Sequence, residues 1–150
     1  MRSSINSVRS SFIAAIKELG YAVYDRYRKV NDYPYIIVGG ITEIQNGAQD
    51  RFGQIVTVNI EVYDGWKSDY GIMNRGERIV DAILRKILNN PHTHEIPGFN
   101  MPVLTLDNMM SNTEQTETHT LTTTVIRFKM QLFEIESYAQ FDYTFDALIQ

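Results

Sequence analysis

The stretch "VTVNIEVYDGWKSDYGIMNRGERIVDAILRKIL", from Val56 to Leu88, changes its hydrophobic period from about two residues to about 3.6. Its first part predicts a strand with one apolar face, formed by Val56, Val58, Ile60 and Val62. Its last part predicts an amphipathic helix that begins near Ser68 or Asp69, with an apolar face at Ile72, Ile79, Val80, Ile83, Leu84, Ile87 and Leu88. The segment between them, "DGWKSDYG", lacks the glycine pattern and the Lys-Ser/Thr pair of a phosphate-binding loop, so we interpret it as a scaffold turn.

The segments before this unit predict one helix and two more strands. An amphipathic helix begins at Ser3 or Ser4 and ends at Gly20, and its apolar residues are Ile5, Val8, Phe12, Ile16 and Leu19. A strand is predicted over Tyr21–Val30 and another over "PYIIVGGITEI", where the Gly39–Gly40 pair indicates a bulge or a close backbone approach. A hairpin with its tip in solvent is predicted over residues 45–54.

The segments after the unit predict two further strands, "MPVLTLDNMM" and "THTLTTTVIRFKMQLFEI", joined by a polar hairpin tip, "SNTEQTE". The complete order is α-β-β-β-α-β-β followed by a tail. This order predicts an α+β fold, with a largely antiparallel sheet of about five strands and two amphipathic helices packed on one face. We divide the chain into a single domain over residues 1–136 and a C-terminal extension over residues 137–150.

Composition excludes several classes of protein. The chain has 150 residues, a formal net charge of −4 and no cysteine. It therefore lacks the strongly basic character of a duplex DNA binder, and it has no disulfide, thiolate catalysis or Cys-type zinc site. Its apolar runs are far shorter than the ~20 residues of a membrane span, so we expect no membrane partner.

A search for catalytic and metal-binding patterns yields no site. His92 and His94 lie near Glu95, and His119 is a further candidate ligand, but this spacing matches no established zinc pattern and we interpret them as loop histidines. The paired carboxylates, such as Asp64 with Asp69, fall in predicted turns or on solvated faces. We therefore expect no catalytic residue, no metal and no cofactor, and a protein that is not an enzyme.

Two segments have the composition of contact surfaces. The C-terminal extension is rich in aromatic and aliphatic residues, so it either packs back on its own domain or docks on a partner. Trp66 is either an interface anchor or a staple over the start of the helix. Our hypothesis is a subunit interface formed by Trp66, Tyr138, Phe141, Tyr143, Phe145, Leu148 and Ile149. Segment 21–30 alternates basic and aromatic residues, including Tyr24, Arg26, Tyr27, Arg28 and Lys29. The favoured interpretation of this segment is a half-buried strand, and the alternative is a small module that binds single-stranded nucleic acid.

The sequence resembles the tail completion and tail terminator proteins of tailed bacteriophages. The resemblance covers about Leu19 to Phe133. It is carried by an early strand, a second strand that leads through a turn into a helix, and a final long strand. The matching residues are Pro34, Tyr35, Ile36, Val38 and Gly39, then Val58, Ile60 and Val62, then Ile79, Asp81, Ala82, Ile83 and Leu88, and finally Arg127 and Phe128.

The resemblance implies a structural virion protein at the head–tail junction, assembled in the cytoplasm of the host bacterium. It implies a homo-oligomeric ring of roughly six or twelve copies, whose contacts close by rotation. The implied partners are portal or connector proteins and tail tube or other tail proteins, and DNA would pass through the lumen without specific binding. An acidic lumen suits such passage, so we predict that Glu114 and Glu117 face the lumen or an adjoining ring.

Overall fold

The computed structural model describes residues 3–25, 33–46, 53–67, 75–89 and 96–134. These residues form two helices and five strands in the predicted order, which confirms the α+β fold. The elements are α1 (Ile5–Lys17), β1 (Val23–Tyr24), β2 (Tyr35–Asn46), β3 (Gly53–Lys67), α2 (Arg75–Asn89), β4 (Phe99–Gln115) and β5 (His119–Glu134). Neither described helix is long and apolar enough to cross a bilayer.

The five strands form one sheet in the order β1-β2-β3-β5-β4. The β2–β3, β3–β5 and β4–β5 pairs are antiparallel, whereas the short β1–β2 pair is parallel, so the sheet is mixed. The central β3–β5 ladder runs without interruption from Gly53 opposite Phe133 to Lys67 opposite His119. The sheet therefore has one end at the pair Gly53 and Phe133, and the other end at the pair Lys67 and His119.

Both helices pack on one face of the sheet and share one core. The residues predicted to face the helices on β3 and β5 are buried: Val56, Val58, Ile60, Val62, Ile126, Phe128, Met130 and Leu132. The ring centroids of Phe12 on α1 and Phe128 on β5 lie 5.9 Å apart. Complete burial of such a side chain stabilises the fold by about 1.5–3 kcal/mol, so this face provides most of the driving force for folding.

Identifiable contacts mark the start of α1, and a glycine follows its end. Ser4 is the N-cap, but its hydroxyl makes no capping hydrogen bond to its own helix. Instead, Oε2 of Glu43 on β2 accepts hydrogen bonds from the Ser3 hydroxyl at 3.0 Å and from the Ser4 backbone N–H at 3.1 Å. A carboxylate at this position also complements the positive end of the helix dipole. At the other end, Gly20 has a φ of +89°, a conformation that glycine adopts without a steric penalty.

The bulge predicted at the glycine pair of β2 is confirmed. The β2–β3 register shifts between Val38 and Ile41, which places the bulge at Gly39 and Gly40. A Cβ on Gly76, in the first turn of α2, would lie 3.6 Å from Cβ of Asp64, an ordinary van der Waals distance, so the start of α2 packs against β3.

The structure corrects the predicted end of β3. The strand continues through Asp64, Gly65, Trp66 and Lys67, because these residues pair with Thr122 to His119 on β5, and so half of the predicted turn is strand. Asp64 was expected in a solvated turn and is only 1% exposed. The described helix α2 begins at Arg75, and Ser68, Asp69 and Ile72 lie outside the described residues.

Three further expectations are corrected. The polar segment predicted as the β4–β5 hairpin tip is mostly strand, since β4 pairs with β5 as far as Gln115 opposite Thr120. Of the strand predicted over Tyr21–Val30, Val23 and Tyr24 are strand, the other described residues of the segment are not, and residues 26–30 lie outside the described residues. Leu88 was predicted on the apolar face of α2 but is 36% exposed, because it lies at the margin of a face whose buried residues are Ile79, Val80, Ile83 and Ile87.

Candidate functional site

The C-terminal part of β4 is open to solvent. Every residue from Thr105 to Gln115 is exposed, and we call this segment the exposed edge. It includes Leu106 (39% exposed), Met109 (47%) and Met110 (65%), residue types that proteins usually bury. In the described part of the chain β4 has a neighbour on one side only, which is β5. The outer side of the exposed edge therefore presents backbone donors and acceptors together with three large apolar side chains.

The exposed edge has few of the features that prevent edge pairing. Natural sheets protect such edges with lysine, proline, bulges or inward-pointing charges. Residues 105–115 contain neither lysine nor proline. A register irregularity lies between Leu106 and Asn108, and beyond it Asn108 to Gln115 pair regularly with β5. The regular part of the edge is thus suited to accept another strand.

The opposite side of the sheet has a second open edge. β1 pairs with β2 only at Ile36 and Ile37. Within the described residues, the part of β2 beyond its bulge, Ile41–Asn46, is paired with β3 alone. Ile44 in this segment is 64% exposed. The fold therefore carries two different edges, each with an exposed apolar side chain.

The structure brings three of the predicted contact residues to one end of the sheet. Glu114 and Glu117 are exposed at the β4–β5 hairpin, where the Thr116 backbone N–H donates to the His119 carbonyl at 2.8 Å. Trp66, half-buried on β3, lies opposite Thr120 at the same end. The hairpin end therefore has exposed carboxylates and a large aromatic side chain, but Glu114 lies on the helix-free face of the sheet and Trp66 on the opposite face.

A tyrosine-lined cavity of about 240 Å³ opens on the helix-free face near this end. The rings of Tyr35 and Tyr63 stack with centroids 4.8 Å apart, and Tyr33 lies 5.6 Å from Tyr35. Glu114 lines the cavity. Gly65 allows this packing, because a Cβ there would lie 3.0 Å from the ring of Tyr33.

One buried ion pair was not predicted from the sequence. Nε of Arg75 lies 3.0 Å from Oδ1 of Asp64, and Nη2 of Arg75 contacts the same oxygen at 2.5 Å. The Gly65 backbone N–H also donates to this oxygen, at 2.9 Å, while Oδ2 of Asp64 is buried with no hydrogen-bond partner among the described residues. The pair joins the end of β3 to the start of α2, so it fixes the geometry of the strand–helix unit.

The histidines do not form a metal site in the described part of the chain. His119 is exposed, with Nδ1 2.9 Å from the Thr118 hydroxyl. Among the described residues, no group of three or more His, Cys, Asp or Glu side chains is close enough to hold a metal ion. His92, His94 and Glu95 lie outside them.

Two predicted contact segments also lie outside the described residues. They are the C-terminal residues Tyr138, Phe141, Tyr143, Phe145, Leu148 and Ile149, and the basic residues Arg26, Arg28 and Lys29 with Tyr27. Of the predicted nucleic-acid segment, Tyr24 is described. It is half-buried and packs edge-on against Tyr35, with ring centroids 6.3 Å apart.

Comparison with solved structures identifies a chain of similar fold. Neither a scan against protein-family models nor a search of curated proteins finds a match. Among solved structures, the chain is similar to a chain of the virion of a native gene transfer agent (GTA) particle, with a TM-score of 0.56 and 14% sequence identity. The match covers 86% of this chain and 92% of that chain. At this level of identity, the likeness shows that the two chains share a fold over nearly their whole lengths.

Proposed function

We propose that this chain is a structural virion subunit that forms a ring at the junction between a phage head and its tail. The observation that carries the proposal is the shared fold with a chain of a gene transfer agent virion, over 86% of this chain and 92% of that one. A match of this extent involves the complete α+β unit rather than one motif within it. The resemblance of the sequence to tail completion and tail terminator proteins supports the same class.

The surface of the fold is compatible with a ring subunit. Subunits of a ring make heterologous contacts, in which one patch fits a different patch on the neighbour. The exposed edge of β4 and the open edge of β2 are two different patches on opposite sides of one sheet. Trp66 and the C-terminal extension are proposed to add to the contacts with neighbouring copies or with portal, connector and tail proteins.

The charge of the chain suits passage of DNA. A basic lumen would bind phosphate and release counterions, which would retain DNA, whereas the chain has a net charge of −4. Glu114 and Glu117 are exposed at the hairpin end, and we place them toward the lumen or an adjoining ring. In this proposal the role of the protein is structural rather than catalytic.

Labelled particles test the position of the ring. A gold-binding tag on the N-terminus of the chain should appear at one site per particle, between head and tail. Label distributed over the head shell or along the tail would overturn the junction role. Label absent from particles that otherwise assemble and infect normally would overturn the structural virion role itself.

The alternative function, binding of single-stranded nucleic acid through segment 21–30, makes a different prediction. Such binding would weaken steeply with salt, because phosphate contacts release counterions. The packing of Tyr24 against Tyr35 favours a structural use of this aromatic side chain. Binding of an oligonucleotide at low salt that is lost on substitution of Arg26 and Arg28 would favour the alternative.

A further inference from the structure

We propose that the exposed edge of β4 pairs with the open edge of β2 in a second copy of this chain, so that the sheets of neighbouring subunits are continuous. The pairing segments are Asn108–Thr113 of one copy and Ile41–Asn46 of the next. This inference rests on the proposed ring function and specifies which surfaces form the ring contact.

The direction of the strands is correct for such a contact. β2 and β5 run one way and β3 and β4 run the other, because the three long strand pairs are antiparallel. In copies related by rotation about the ring axis, corresponding strands keep the same direction along that axis. β4 of one copy therefore meets β2 of the next as an antiparallel partner, which is the more stable type of strand pair.

The side chains at the two edges are complementary. Met110 lies opposite Val125, and Val125 opposite Glu61, which places Met110 on the helix-free face of the sheet. Ile44 lies opposite Ile55, on the same face. Antiparallel pairing that sets Met110 against Ile44 buries these two side chains, which are 65% and 64% exposed in the single subunit.

This register displaces each copy along the strand direction relative to its neighbour. The displacement gives a strand tilt similar to that of closed sheets. Within one subunit Ile44 is level with Gln131 on β5, and Met110 is level with Val125, six residues away along that strand. Six residues correspond to about 20 Å along a strand, and four strands spaced at ~4.8 Å are about 19 Å wide. The resulting strand tilt is about 45°, at the upper end of the range of about 35–45° found in closed sheets.

Charge argues against pairing of β4 with itself. Between Phe99 and Thr118 the chain has acidic residues, Asp107, Glu114 and Glu117, and no lysine or arginine. Two such strands side by side would bring like charges together, which destabilises cross-strand pairs. The β2 segment contains a single charged residue, Glu43, whose carboxylate is bound to the start of α1. β2 is therefore the compatible partner for the acidic edge.

Cysteine cross-linking tests the contact directly, because the natural chain has no cysteine. The double variant Ile44→Cys/Met110→Cys, oxidised at a concentration where the protein is oligomeric, should give a ladder of covalent oligomers that ends at the ring size. A mixture of the two single variants should give covalent dimers only, and each single variant alone should stay monomeric on a denaturing gel. A Leu88→Cys/Met110→Cys variant is the matched control, since Leu88 is exposed on α2, and it should give no ladder.

The outcomes separate this inference from the proposed function. A ring of normal mass without covalent adducts in the double variant would overturn the edge pairing and leave the ring function intact. Dimers formed by Met110→Cys alone would also overturn it, in favour of β4 pairing with itself. A chain that is monomeric at every concentration and yields no adduct would count against the edge pairing and the ring together.

Discussion

Replacement of Arg75 by methionine is the perturbation whose cost follows most directly from the structure. The side chain of Asp64 is 1% exposed and that of Arg75 is 39% exposed. Removing one partner of a fully buried ion pair costs about 3–5 kcal/mol, because the remaining charge is uncompensated. Two features reduce this cost here. Arg75 is partly solvated, and Asp64 keeps the hydrogen bond from the Gly65 backbone N–H at 2.9 Å.

We therefore expect Arg75→Met to lower the free energy of unfolding by about 2–3 kcal/mol. For a domain of this size, each kcal/mol shifts Tm by about 2–4 °C, so the expected decrease in Tm is about 4–12 °C. Urea denaturation followed by circular dichroism, with a thermal scan on the same samples, measures both quantities.

A double-mutant cycle and a surface control define the test. In an Asp64→Asn background the buried charge is absent, so adding Arg75→Met should cost less than about 1 kcal/mol. Arg85→Met removes an exposed i,i+4 pair with Asp81, at 3.6 Å, and should cost less than about 0.5 kcal/mol. The reasoning is refuted if Arg75→Met costs the same in both backgrounds, or no more than Arg85→Met.

Three further predictions concern other contacts. Glu43→Ala removes the acceptor at the start of α1 and should destabilise the fold by about 1–2 kcal/mol in the same urea assay. Gly65→Ala places a Cβ 2.9 Å from a leucine side chain and 3.0 Å from a tyrosine ring, and should cost about 1–2 kcal/mol, whereas Gly40→Ala meets its nearest atom at 3.5 Å and is the control. Charge reversal of Glu114 and Glu117 to lysine should leave the fold intact and increase retention of DNA in a purified ring, measured as the salt concentration needed for elution.

Each of these has a result that would contradict it. A Glu43→Ala variant as stable as the wild type would mean that the carboxylate does not stabilise α1. Equal stability of the Gly65→Ala and Gly40→Ala variants would show that the tyrosine packing tolerates a methyl group. Unchanged elution and assembly of the charge-reversed protein would remove Glu114 and Glu117 from the lumen and from ring contacts.

The sequence predicted the fold wherever one face of an element is buried. The alternation at Val56–Val62 and the helical spacing at Ile79–Ile87 each have a buried side and a polar side, so the period identifies the element and its inner face. The end of β4 has no such contrast. Residues 111–115 are exposed on both faces, so their sequence shows no alternation and is typical of a hairpin tip.

The contacts that define the candidate site depend on distance in space rather than in sequence. Asp64 and Arg75 are 11 residues apart in the chain, and no local pattern marks them as partners. The two open edges result from the order of strands in the sheet, which places β5 between β3 and β4. Sequence patterns predicted Glu114, Glu117 and Trp66 as surface candidates, but the apolar edge with Met109 and Met110 became apparent only from the strand order and exposure.

The central claim is that this fold contacts identical copies through the edge of its sheet. Native mass spectrometry of the purified chain, compared with a Met109→Lys/Met110→Lys variant and a Leu88→Lys control, tests it most directly. We expect the wild type and the control to give one closed oligomer at an integral multiple of 17.3 kDa, and the edge variant to give a folded monomer. The account is contradicted by an edge variant that forms the same oligomer as the wild type.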